Sequence, residues 1–297
     1  MRRLSAALGR WRPGAFVLAI LLSGLATQPA AAEQPLQVDV LSKGSSSLLG
    51  IRKAKAGVPV RGMHPTSQAR VQSILKNLSI YRRLPEIRCQ ADPRVLDYFL
   101  DNPDVAVEIW RTLGVSNVRM TRLGPGQYTA DDGQGSRGNL TVVYRDAGQQ
   151  VIVCSGQFVN PVSKKPIDAE AVIHFRHRSE RSRDGQAFVR QDATMFVALP
   201  SNTVEAVARA ISPVSNRLAD KNFEEVSLFV RMMSVAMSEQ PDWIQSLADR
   251  MTEVPTASRD EMMHLASTLH GEATGRPMPA GRGPRVRMVG AGGGVTR

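Results

Sequence analysis

The sequence predicts an α+β protein in which a curved antiparallel sheet of about six to seven strands wraps around a long C-terminal helix. Two observations carry this prediction. Apolar and polar residues alternate in six successive runs between residues 115 and 199, which is the period of a β-strand. Residues 214–240 then contain neither glycine nor proline, and their apolar residues recur at helical spacing.

The part of the chain before the sheet is predicted to be mainly helical. The apolar spacing of residues 70–85 is ambiguous and fits either an opening strand or a short helix. Asp92 is a good N-cap residue, and Pro93 suits the first helical position after it. An Asn-Pro pair at 102–103 separates this helix from a second short one, which Gly114 is placed to end.

Short turn signals separate the six runs between residues 115 and 199. The runs read NVRMTRL, GQYTAD, GNLTVVYR, QQVIVCSGQF, AEAVIHFRHR and QAFVRQDATMFVAL. Glycine, proline and aspartate are typical of the connections between them. No helical pattern lies between consecutive runs, and parallel crossovers need one. The sequence therefore predicts an antiparallel meander of six strands over this stretch.

Gly133, Gly135 and Gly138 match the G-x-G-x-x-G spacing of a dinucleotide-binding loop. Such a loop needs a helix directly after it, because the pyrophosphate binds to the N-terminal amides of that helix. Here the glycines precede NLTVVYR, whose β-branched and aromatic residues favour a strand. We interpret the glycines as turn residues, and the sequence predicts no cofactor.

Helices are predicted to follow the last strand. Asn202 can cap a helix with Glu205 in the capping-box position, and Pro213 ends or kinks that helix. The long helix over residues 214–240 carries one apolar face. Pro241 stops it, and a last short helix is expected after this proline.

This order of elements resembles the helix-grip fold of the START-like superfamily of lipid-transfer, aromatase and polyketide-cyclase domains. Three pieces carry the resemblance, YRRLP, NPDVAVEIW and LADKNF, and they look like those of an exported bacterial family of that kind. The resemblance covers residues 75–250, and none of its motifs is a catalytic signature. It implies a hydrophobic cavity between the sheet and the long C-terminal helix.

The resemblance also implies which residues line this cavity. Those predicted to contact a ligand are Trp110, Asn222, Val226, Phe229, Val230, Met233 and Met237. Methionine side chains suit irregular apolar ligands, but they also fill protein cores. Asn222 can orient a polar ligand group or face solvent, and Trp110 can equally anchor the core.

Residues 1–32 are predicted to be an export signal. Basic residues open the segment, residues 15–26 are apolar, and Ala30 and Ala32 form a cleavage site before Glu33. The apolar run is shorter than the roughly 20 residues that span a bilayer. The mature protein is therefore expected to be periplasmic or secreted, and an uncleaved N-terminal membrane anchor is the alternative.

The remaining chain divides by composition. Residues 33–72 and 272–297 are rich in small, proline and basic residues, and they are predicted to be a disordered basic linker and a disordered basic tail. Between them lie the helix-grip domain, residues 73–252, and a short helical extension, residues 253–271.

The positive charge lies outside the predicted domain. The chain carries 38 Lys and Arg against 27 Asp and Glu, a net charge of +11. The first 32 residues, the linker and the tail each contribute +4, so residues 73–271 carry −1. The basic arms can contact an anionic envelope surface or remain solvated. A nucleic-acid partner is not expected, because no basic groove with interleaved aromatic residues is evident.

Cys89 and Cys154 can form a disulfide in an exported protein, and two separate buried thiols are the alternative. His174 and His177 are three residues apart on a predicted strand and point to opposite faces, so no metal site is predicted. The chain has no nucleophile motif of a hydrolase, and no catalytic residue is predicted.

The function that the sequence favours is binding of a lipid or another hydrophobic small molecule in an exported domain. Two alternatives stay open. One is a non-catalytic structural or interaction protein of the cell envelope, whose core is filled by its own side chains. The other is a cyclase-like or hydrolase-like enzyme on the same fold, because a single buried carboxylate can act as acid or base without a recognisable motif.

Overall fold

The computed structural model describes residues 37–159, 166–199 and 213–275, which form an α+β structure around one large antiparallel sheet. Its strands are β1 Asp39–Ser42, β2 Leu78–Arg83, β3 Glu86–Gln90, β4 Arg119–Gly124, β5 Gln127–Asp131, β6 Arg137–Asp146, β7 Gln149–Val159, β8 Pro166–Arg181 and β9 Ala187–Ala198. Its α-helices are α1 Ile51–Ala56, α2 Pro65–Lys76, α3 Pro93–Asp101, α4 Pro103–Thr112, α5 Pro213–Glu239, α6 Pro241–Arg250 and α7 Thr256–Thr274. The predicted export signal, the helix predicted over 201–212 and the tail after residue 275 lie outside the described residues.

The strands pair in the order β1-β3-β9-β8-β7-β6-β5-β4, and β2 also pairs with β9. Strands β4 to β9 follow one another in sequence order and are antiparallel, so the predicted six-stranded meander is confirmed. Both β2 and β3 run along the free edge of β9, one after the other. The Leu84 N–H donates to the Ala193 carbonyl at 2.8 Å and keeps the chain on this edge between the two strands.

The described sheet has nine strands, and the prediction of six to seven is wrong. The prediction missed β1 and β3 outright, and it left β2 undecided between strand and helix. β1 has only four residues, and its Val40 and Leu41 are exposed, so it has no buried face that would produce an alternating pattern. It forms a strand because its backbone pairs with β3. This pairing depends on the neighbouring strand and leaves no pattern in the side chains of β1.

The two faces of the sheet are both covered. The inner face, as we call it, packs against helices α3 to α7 and contains Ile152, Cys154 and Met195. The residues that alternate with these along the strands point to the outer face. They form a separate hydrophobic cluster there, which includes Val151, Val153, Val172 and Phe196. Successive side chains of a strand point to opposite faces, so the continuous apolar runs VIVC in β7 and MFV in β9 supply both clusters.

The outer face is covered by part of the segment predicted to be a disordered linker, and that prediction is wrong for residues 39–72. This segment contains β1, two 3₁₀ turns at Leu48–Gly50 and Val60–Gly62, helix α1 and most of α2. Its buried side chains include Val58, Met63 and Val71, and they continue into α2 with Ile74 and Leu75. Local composition did not reveal this order, because the segment is stabilised by apolar contacts with a distant part of the sheet.

The helices of the inner face begin and end where the sequence indicates. The Asp92 carboxylate accepts a hydrogen bond from the Arg94 backbone N–H at 2.9 Å, which confirms the predicted N-cap of α3. Gly114 has a φ of 70° directly after α4, the left-handed conformation expected of a helix C-terminus. The long helix α5 extends over 27 residues and ends before Pro241, as predicted.

Helix α7 is part of the core rather than a short extension over residues 253–271. It has 19 residues, reaches Thr274, and buries Met262, Ala266 and Leu269. The Tyr98 hydroxyl of α3 donates to the Ser258 carbonyl at 2.7 Å, and this buried bond fixes the start of α7 against α3. The predicted domain therefore extends at both ends beyond residues 73–252.

The glycine motif lies in the β5–β6 connection. Gly133 and Gly135 have φ values of 69° and 106°, which confirms their interpretation as turn residues. Gly138 is already in β6 and pairs with Gly156 of β7, so its interpretation as a turn residue is wrong. A Cβ atom on Gly156 would lie 2.2 Å from the Arg137 carbonyl oxygen, so this close approach of two strands requires glycine.

Cys89 and Cys154 are free and buried, so the disulfide alternative is wrong. They lie on β3 and β7, which β9 and β8 separate in the sheet. Three strand spacings amount to about 14 Å. A disulfide needs Cα atoms within about 7 Å.

Candidate functional site

A cavity of about 220 Å³ lies between the inner face of the sheet and helices α3, α4 and α5. The sheet contributes apolar side chains from the last four strands of the meander. These lining residues include Leu140, Ile152, Ile173, Phe175, Ala193 and Met195. The opposite wall is formed by apolar residues of the three helices. The arrangement can bury an apolar molecule without a large change in the fold.

The helical wall is built around one aromatic group. The ring of Phe229 in α5 lies 4.9 Å from that of Phe99 in α3 and 5.4 Å from that of Trp110 in α4, between ring centroids. The contact with Phe99 is tilted and that with Trp110 is edge-to-face, and together they join the three helices. Phe223 lies further towards the start of α5 and meets Phe175 of the sheet at 6.4 Å. Helix and sheet therefore touch through aromatic rings on one side of the cavity.

Five of the seven residues predicted to contact a ligand line this cavity: Trp110, Asn222, Val226, Phe229 and Val230. Met233 and Met237 do not. They are buried in the C-terminal half of α5, where helices α6 and α7 pack onto it. The Ser238 carbonyl accepts a hydrogen bond from Nδ1 of His270 on α7 at 2.8 Å, which shows how closely this half is covered. The two methionines are core residues of the described structure.

A few polar side chains interrupt the apolar wall. From the sheet these are Tyr128, Gln150 and Gln191, from α5 they are Asn222 and Glu225, and Ser116 lies in the loop before β4. The Tyr128 hydroxyl donates to the Asp101 carbonyl at 3.1 Å, and burial raises its pKa. Asn222 is buried at 8% exposure, so the alternative in which it faces solvent is wrong.

Gln191 differs from the other polar groups of the wall. It is 3% exposed, and its Nε2 has no hydrogen-bond partner within the part of the chain that the structure describes. Along the same face of β9 its neighbours are Val189, Ala193 and Met195. An amide donor left unpaired in such surroundings costs about 1–3 kcal/mol.

Glu225 is the one formally charged residue among the described residues of the cavity wall. Burial raises the pKa of its carboxyl group, and the ammonium group of Lys221, 3.7 Å away on the same helix, opposes this shift. The described wall contributes no lysine, arginine or histidine. The cavity is therefore suited to uncharged rather than anionic molecules.

The sequence reasoning missed the sheet wall, including Gln150 and Gln191. A signal for both was present. On β9 every second residue from Val189 to Val197 faces inwards, and Gln191 is the polar exception in this apolar row. On β7 Gln150 precedes Ile152 and Cys154 on the same face. A buried polar residue in an otherwise apolar row is the more informative observation.

Other reactive groups lie away from the cavity wall. Burial raises the pKa of Cys89 to about 11 and that of Cys154 to about 12, so both remain neutral thiols. Burial lowers the pKa of His174 to about 4, and its Nε2 lies 2.8 Å from Oε1 of Gln149. The neutral ring therefore donates this hydrogen bond. Within the described ranges, no group of three or more His, Cys, Asp or Glu side chains could hold a metal ion.

Fold and site together define an α+β protein with an apolar internal cavity between an antiparallel sheet and a long helix. The chain matches no protein-family model, and a search of curated proteins finds no significant relative. Among the described helices, none is both long and apolar enough to cross a membrane.

Proposed function

We propose that this protein is an exported binding module of the START-like, helix-grip type that holds a lipid or another hydrophobic small molecule in the inner-face cavity. The observation that carries the proposal is the cavity, with its volume of about 220 Å³ and its mainly apolar wall. Its position between the meander and α5 is the position expected for the ligand site of that fold. The helix pair before the meander and the long helix after it support the same assignment.

The export signal and the basic arms belong to the same proposal. Cleavage after Ala32 would release the mature domain outside the cytoplasm, with arginines of the segment 276–297 available to an anionic envelope surface. Lys43, Arg52 and Lys53, close to the new N-terminus, are exposed and add to this basic character.

The first experiment is native mass spectrometry of the mature protein purified from the envelope of its host, followed by solvent extraction. A discrete bound mass that enters the organic phase is expected. A ligand present at about 100 times its Kd adds about 2.7 kcal/mol of stability, so extraction should also lower the thermal midpoint.

A matched pair of variants on α5 locates the site. Val226→Phe places a ring in the cavity wall and should abolish ligand retention. Val235→Phe changes a half-buried valine that does not line the cavity, and it should retain the ligand. Equal retention by both variants would refute the cavity as the site. A bare wild-type protein that binds no apolar probe would instead favour a structural protein of the envelope.

A further inference from the structure

Gln191 places an unused hydrogen-bond donor at the wall of an apolar cavity. It is held on the central strand β9, between β8 and β3, where the backbone is paired on both sides. Its cross-strand neighbours are Ile87 and His177, and no described residue accepts from its Nε2. The terminal torsion of a glutamine is soft. Rotation about this torsion can turn an amide N–H of Gln191 towards the cavity that the residue lines.

The volume of the cavity limits the size of what that donor can meet. A dry cavity of about 150 Å³ binds benzene, which has six non-hydrogen atoms. At the same filling, about 220 Å³ accommodates about nine non-hydrogen atoms. The part of a ligand that the cavity holds is therefore a compact ring or a short chain.

The charge of the wall limits the chemistry of the ligand. A buried carboxylate or phosphate needs a cationic partner or several donors. The described wall offers no cation, and Glu225 adds the only formal charge, which is negative. Gln191 supplies a neutral donor that has no described partner. A neutral acceptor, such as a carbonyl oxygen, is the group that satisfies this donor.

We propose that the cavity selects an uncharged, compact apolar group of about nine non-hydrogen atoms whose carbonyl oxygen accepts a hydrogen bond from Nε2 of Gln191. This inference rests on the proposed function, since it requires that the cavity binds a ligand. It adds the size, the charge and the polar contact of that ligand.

Three probes with nine non-hydrogen atoms each test the proposal, because they share a phenyl ring and a planar substituent. Acetophenone carries a neutral carbonyl, α-methylstyrene replaces the carbonyl oxygen by a methylene group, and benzoate carries a negative charge at pH 7. Each is titrated by calorimetry into delipidated mature protein. Wild type should bind the first two, and benzoate should not bind measurably.

The variant Gln191→Met removes the donor and keeps the length of the side chain. It should weaken acetophenone binding about tenfold, which corresponds to one well-made hydrogen bond in a dry site, and change α-methylstyrene binding less than about twofold. The control Gln245→Met changes an exposed glutamine on α6 and should change neither affinity.

A second measurement does not depend on the variant. In spectra of the ¹⁵N-labelled protein, the side-chain amide protons of Gln191 should shift downfield with acetophenone and not with α-methylstyrene. Binding of both neutral probes without this shift, or with equal losses in Gln191→Met, would overturn the inference while leaving the proposed function standing. Tighter binding of benzoate than of acetophenone would overturn it as well. Failure of every probe, with no co-purified ligand, would refute the proposed function itself.

Discussion

The outer face of the sheet is covered and closely packed by the chain's own N-terminal segment, whereas the inner face borders a cavity of about 220 Å³. The covering segment of the outer face is short and lies N-terminal to the sheet. It brings Val71 and Ile74 of α2 against Val153, Val172 and Phe196 until none is more than 1% exposed. The inner face is covered by far more helix and still keeps a cavity.

The amount of structure that covers a face of the sheet therefore does not decide how closely that face is packed. On the inner face, the rings of Phe99, Trp110 and Phe229 pack against one another and join α3, α4 and α5. All three rings also line the cavity, so its helical wall is aromatic. On the outer face, Tyr81 and Phe196 are in contact, with centroids 5.7 Å apart, and mainly aliphatic side chains pack around them.

The largest expected effect is a truncation on the outer face. Phe196→Ala should lower the free energy of unfolding by about 3–5 kcal/mol, because its ring is completely buried and the site is closely packed. Phe223→Ala removes the same atoms from the wall of the existing cavity, where one side of the ring has no neighbours. It should cost roughly half as much. Urea denaturation measures both, and equal losses would mean that the cavity is not a difference between the faces in solution.

A slightly smaller loss is expected where β6 and β7 approach each other at the edge of the cavity face. Gly156→Ala would place a Cβ against the backbone of Arg137 and should cost about 3 kcal/mol. Gly124→Ala is the control, because nothing lies within 4 Å of the added atom. The thermal midpoints should fall strongly for the first variant and hardly for the second. A tolerated Gly156→Ala would show that the strands separate without cost.

The next predicted effect is a pH dependence of the stability, which arises from His174 on the outer face. Burial and the nearby Arg176 lower the pKa of His174 to about 4, below its ordinary value of 6.5. The unfolded chain then binds more protons than the folded protein between pH 6.5 and 4, so stability should fall as the pH drops through this window.

The variant His174→Asn should flatten this part of the stability profile, measured by urea denaturation at several pH values. His264→Asn changes an exposed histidine on α7 and serves as the control. Both the wild type and this control should keep the slope. An unchanged slope in His174→Asn would assign the pH dependence to other groups.

The smallest expected effect is a gain. Gln191→Met removes an unpaired amide from the cavity face and should raise the stability of the ligand-free protein by about 1 kcal/mol. Thermal unfolding of delipidated protein measures the gain. The same change weakens binding of a carbonyl probe, so stability and binding should move in opposite directions. A destabilised ligand-free variant would mean that the Gln191 amide supports the fold rather than a ligand.

Several parts of the candidate site could be predicted from the sequence, and others could not. Val226, Phe229 and Val230 form an apolar stripe whose helical spacing is visible without a structure, and all three line the cavity. The same stripe continues through Met233 and Met237, where only the packing of α6 and α7 closes it. Periodicity identifies a buried face, but it does not indicate what the face is buried against.

The sequence by itself determined the six-stranded meander, the caps of α3 and α4, and the extent of α5. Each of these depends on patterns within a few residues: alternation in strands, capping side chains and prolines at helix ends. The tertiary structure decided the rest. It added β1 to the sheet edge and ordered residues 51–72 on the outer face, separated Cys89 from Cys154 by two strands, and placed Gln191 unpaired beside a cavity. These features depend on surfaces that are distant in the chain, and their free energy arises only when those surfaces meet.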